Sequence, residues 1–109
     1  MQSQSLVELA EHHLDRARQS RNGRSAVTVY GGHQHRLRQT LIALASGHTL
    51  GDHEAPGEAT LRVLHGDVRM TAGSESWEGK AGAHLAIPPR RHDLYAVTDS
   101  VVLLSVAVG

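Results

Sequence analysis

From residue 25 to the C-terminus, apolar side chains recur at every second position in short runs, and each run stops at a turn signal. That period belongs to β-strands, whose successive side chains point to opposite faces. The runs are Ala26–Tyr30, Arg36–Ala45, Glu58–Leu64, Asp67–Ala72, Trp77–Gly79, Ala83–Ile87, Asp93–Val97 and Val101–Val108. Gly31-Gly32, Gly66, the Gly73–Ser76 loop, Gly82, Pro88-Pro89 and Thr98–Ser100 separate them. Many short strands with frequent turns and no second helix predict an all-β sandwich or barrel.

Two runs predict their own placement. Val101–Val108 is apolar on both faces, so it belongs in the middle of a sheet or under a cover. Arg36–Ala45 carries Leu37, Gln39, Leu41 and Ala43 on one face and Arg38, Thr40, Ile42 and Leu44 on the other. Both faces turn apolar in its second half, as expected where a strand enters the interior.

Before the strands, residues 5–22 read as an amphipathic helix. Ser5 and Glu8 form a capping-box pattern, Leu6, Leu9, Ala10, His13, Leu14 and Ala17 share one stripe, and Asn22-Gly23 is a stop. His12 and His13 are assigned to the helix surface. The expected division is a helix and linker over 1–24 and a β-barrel over 25–109.

Composition narrows the function classes. A chain of 109 residues makes one domain. It has no Phe, so the core is aliphatic, and its single tryptophan, Trp77, is expected on the barrel exterior or against a partner. It has no Cys, which excludes disulfides and thiolate chemistry. Eleven basic and eleven acidic residues argue against a nucleic-acid partner. Arg16, Arg18, Arg21 and Arg24 make the helix locally basic, and they read as a solvated face. No apolar run approaches the roughly 20 residues of a membrane span, and no secretory leader is seen, so the expected location is the cytoplasm.

Nine histidines require an account. His33 and His35, beside Gly31-Gly32, read as turn residues. The stretch Gly47–Gly57 is different: a loop with His48, Asp52, His53 and Glu54 feeds the strand that begins at Glu58. Loops carried on a rigid β scaffold are where sites tend to be built.

The spacing in two stretches resembles the motifs of the cupin superfamily, the small RmlC-like jelly-roll barrels. The first motif runs Gly, five residues, His, one residue, His, three or four residues, Glu, six residues, Gly. Gly47, His53 and Gly66 match it, and the phrase APGEATLRVLHGDVRM resembles the strand–turn–strand that follows. The second motif runs Gly, five residues, Pro, a short turn, His, three residues, Asn. Gly82, Pro88 and His92 match it. The resemblance covers residues 25–109 and implies a cupin-type double-stranded β-helix. The chain departs from the motifs at three places. The second histidine falls on Ala55, the glutamate on Ala59 and the asparagine on Ala96.

The resemblance therefore implies His53 and His92 as metal ligands, with a third to be found. Glu58 is the first choice, one residue from the motif position, and His48 the second; Glu54 and His65 are further candidates. The ion would be one divalent metal (iron, manganese, nickel or zinc), or none. Gln39, His53, His92 and Arg90 are the expected ligand-binding groups, with Arg90 and Arg91 able to face an anion. Three functions stay open: a small-molecule-binding barrel, a metal-dependent enzyme of dioxygenase or isomerase type, and a partner-binding module using the N-terminal helix. The expected assembly is a homodimer.

Overall fold

A computed structural model describes residues 1–54 and 57–109 of the chain. Helix α1 (Leu6–Gln19) precedes eight strands: β1 (Arg24–Tyr30), β2 (Leu37–Leu44), β3 (Glu58–His65), β4 (Asp67–Ala72), β5 (Glu75–Lys80), β6 (His84–Ala86), β7 (Asp93–Ala96) and β8 (Ser100–Ala107).

The helix begins as its capping sequence predicts. The Ser5 hydroxyl oxygen accepts the Glu8 backbone N–H at 3.2 Å, satisfying one of the free donors of the first turn. It ends three residues earlier than the Asn22-Gly23 stop suggests. Ser20 takes an extended conformation, and its hydroxyl donates to the Asn22 side chain, which also accepts the Arg24 N–H. This local turn outcompetes another helical turn. Gly23 then reverses the chain at φ +68°.

The strands form two antiparallel sheets, ordered β1-β2-β8-β3-β6 and β5-β4-β7. Closed between them is the main core, including Ile42, Leu44, Leu61, Val63, Val68, Met70, Leu94 and Val102. A second apolar layer lies on the outer face of the larger sheet, where Leu14 and Ala17 of α1 pack against Leu41, Ala43 and Val101. The two layers explain the doubly apolar strands. In β2, Ile42 and Leu44 face the barrel interior while Leu41 and Ala43 face the helix. In β8, Val102 and Val106 face inward and Val101 outward, and the strand is central, between β2 and β3.

Three expectations are revised. His13 is not on the helix surface. It is 9% exposed, beneath α1, with Nδ1 2.7 Å from the Ser25 hydroxyl. Burial, then the like charges of His12 and Arg16, hold its pKa below the usual histidine value. Trp77 is not an exterior residue. It packs against the main core, and its ring lies over Gly79, where any Cβ would collide with it. The Gly47 loop is not free of the sheet. Its residues 47–53 run along β7, with Gly47 N–H donating to Ala96 O at 2.8 Å and Leu50 N–H to Leu94 O at 3.1 Å. Gly47 and Gly51 have positive φ, which interrupts a regular strand there, and the Asp93 carboxylate takes the Gly51 N–H at 2.9 Å.

Candidate functional site

The line of residues beside β7 brings His53 and His92 together. They form an antiparallel bridge, exchanging both backbone bonds: His53 N–H to His92 O at 2.9 Å and His92 N–H to His53 O at 3.0 Å. Cross-strand partners project to the same face. Here their imidazoles meet edge to face, with ring centroids 5.6 Å apart. His92 continues the alternation of Leu94 and Ala96, both in the main core, so that face is the barrel interior. His92 is 6% exposed, whereas His53 is exposed at the rim.

One contact sets the chemistry of His92. Its Nδ1 lies 2.8 Å from the Arg90 carbonyl oxygen. A carbonyl only accepts, so Nδ1 carries the proton and donates, and in the neutral ring Nε2 keeps its lone pair. The ring is thus oriented and its tautomer chosen by the main chain two residues earlier. Nothing in the residue types predicts this contact, because a backbone carbonyl leaves no mark in a sequence.

The other expected ligands are placed elsewhere. Glu58 starts β3 on the face opposite Ala59, Leu61 and Val63, which point into the core. It is exposed, and Ala59 occupies the inward position. A one-residue offset in a strand reverses the face, and Glu58 stands on the outward one. His48 has its ring against Gly23, at the corner between α1 and β1. Gln39 shares the helix-side face of β2 with Leu41 and Ala43, and its amide donates to the Ser105 hydroxyl at 3.1 Å, so it does not converge with the histidines. The Arg90 guanidinium is ion-paired with Glu75 on the β4–β5 hairpin. Ala55, aligned with the second motif histidine, lies outside the described residues.

This donor set does not fit a resident metal. A well-held divalent ion on nitrogen and oxygen needs at least three protein ligands. Among the described residues, no three His, Cys, Asp or Glu side chains are placed to hold one. Two imidazoles can instead present a lone pair or an N–H to a polar group of a small molecule.

Comparison with solved structures decides the fold. An RmlC-like cupin from Desulfovibrio desulfuricans superposes with a TM-score of 0.73 at 23% identity, covering 98% of this chain and 96% of that one. A cupin superfamily protein from Desulfitobacterium hafniense gives 0.72 at 15% identity, with 79% and 78% covered. This chain has the cupin fold. A conserved Streptococcus pyogenes protein of unknown function is similar to the same barrel, with a TM-score of 0.73 at 26% identity over 83% of this chain and 78% of that one. No protein-family model matches the sequence, and no match was found among curated proteins. No helix of this cupin barrel, among the described residues, is long and apolar enough to cross a membrane.

Proposed function

We propose that this chain is a small-molecule-binding cupin barrel in which His53 and His92, without a resident metal, are the recognition groups. The observation that carries this reading is the His53–His92 pair itself. One imidazole is buried and held in a single tautomer by the Arg90 carbonyl, and the other stands exposed beside it at the rim. The buried ring fixes the orientation of a ligand's polar group, and the exposed ring can move to admit it. Leu94, buried in the main core behind them, gives the pair an apolar backing.

The metal-dependent enzyme is the competing reading, and the same residues test it. EDTA-treated protein titrated with Fe(II), Mn(II), Ni(II) and Zn(II) is expected to take up no stoichiometric ion. One-to-one binding that disappears in His53→Ala would replace the present reading with the enzymatic one. For the binding reading, the imidazole nitrogen resonances are followed while polar fragments are added. A ligand is expected to shift His92 Nε2 and leave the Nδ1–H bond intact.

A homodimer in the cytoplasm remains part of the proposal. Tyr30 and Leu37, 49% and 46% exposed at neighbouring ends of β1 and β2, offer apolar surface for a second copy. Light scattering that returns the mass of the 11.7 kDa chain would reject it.

A further inference from the structure

A recess opens between the β4–β5 hairpin and the segment from β6 to Arg90. It has a volume of about 190 Å³ and is lined chiefly by Met70, Trp77, Leu85 and Pro88, with Glu75 and Arg90 at its mouth. Neither His53 nor His92 is among the described residues that line it.

Its walls and its rim differ in chemistry. Trp77 is the only tryptophan of the chain, and it is half-buried against the core. Met70 is almost fully buried and places its thioether in the same wall, a group that packs well on aromatic rings. Pro88 adds a rigid apolar surface. The rim is an ion pair between Arg90 and Glu75, with side chains 48% and 75% exposed. Pairs this exposed are held weakly, so a carboxylate from solution can displace Glu75 from the guanidinium fork at little cost. The size limits the guest. Pockets for drug-sized molecules start at about 300 Å³, so this one admits a single ring.

We propose that this cleft binds a monocyclic aromatic carboxylate, its ring against Trp77 and Met70 and its carboxylate on Arg90 in place of Glu75. The site adjoins the His53–His92 pair, since the lining residue Ala72 follows Thr71, the partner of Asp93, and so stands beside His92 on the inward face. Its test reads Trp77 and Arg90 and so fails or succeeds separately from the test of the pair. The cleft and the pair are also linked through Arg90, whose carbonyl orients His92 and whose guanidinium would hold the guest.

Trp77 reports occupancy directly, with no other tryptophan to obscure it. Its emission is followed while the protein is titrated at constant ionic strength with benzoate and, separately, with benzylamine. Benzoate is expected to change the emission saturably below about 10 mM, and benzylamine to leave it unchanged. Arg90→Gln is expected to weaken benzoate about tenfold. Glu75→Gln is expected to tighten it several-fold, because the guanidinium no longer has an internal competitor. That gain separates a competed site from a damaged one, since loss of folding cannot raise affinity. Equal responses to the acid and the amine, no response to benzoate, or weaker binding in Glu75→Gln would each overturn the proposal.

Discussion

The layer between the two sheets and the layer beneath α1 are both apolar, yet they are held by different means. Strands of both sheets contribute to the interior, and its buried members are aliphatic residues and one methionine. The layer under the helix rests on a few side chains, chiefly Leu14, Ala17, Leu41, Ala43 and Val101. It is supplemented by polar contacts: the buried His13–Ser25 pair and the ion pair of Arg18 with Asp99, 2.7 Å apart. The interior can be lost only by unfolding the barrel. The outer layer can loosen while the barrel stays closed, because the sheet beneath it keeps its own hydrogen bonds.

Truncation of matched leucines measures that difference. Leu94→Ala, in the interior at 2% exposure, is expected to cost about 4 kcal/mol in denaturant unfolding, since side chains from both sheets surround the cavity it leaves. Leu14→Ala, on the helix, is expected to cost about 2 kcal/mol, because α1 can settle toward the sheet and reduce the void. Equal losses would show that helix and barrel unfold as one unit.

A smaller effect should distinguish the two layers by pH. The pKa of His13 is lowered in the folded protein, so the folded state binds fewer protons than the unfolded one just below the unfolded value. The stabilisation is complete above about pH 6.5 and is lost as pH falls from there through the lowered pKa. Amide exchange in α1 is expected to quicken over that window relative to exchange in β8, and His13→Gln should remove the pH dependence that arises there. Uniform acceleration in both elements would break the comparison.

The smallest change is expected at the helix C-terminal half. Asp99 is held below the usual carboxylate range first by the Ser46 backbone N–H, at 2.8 Å, and then by Arg18. Arg18→Ala removes only the second of these, at an exposed position, and should cost about 0.5 kcal/mol or less in thermal unfolding. Asp99→Asn should cost more, since it also weakens the bond that ties the Gly47 loop to the start of β8.

Those two layers were visible in the sequence as patterns before either could be assigned. The doubly apolar Val101–Val108 run demanded a central position, and the stripe on α1 demanded a surface to cover. Both demands meet on the outer face of the larger sheet. The candidate site was less legible. His53 and His92 were found through motif spacing, and the structure does pair them. The expectation of Glu58 as a third ligand could not be judged this way, because Glu58 and Ala59 differ only in which face of β3 they occupy. His13 was misplaced for a related reason. A histidine in an apolar stripe reads equally as a surface residue or a buried one until its partner, Ser25, is known.

By itself the sequence determined the class of fold and the number of strands, and it singled out His53 and His92, because period, turn residues and motif spacing are local and additive along the chain. Tertiary structure alone decided how those histidines and their neighbours are set. It set the tautomer of His92 through the Arg90 carbonyl, turned Glu58 outward, placed His48 on Gly23 and closed the Arg90 side chain onto Glu75. Each of these depends on register and on the approach of residues distant in the chain, which a one-residue shift reverses and which composition does not record.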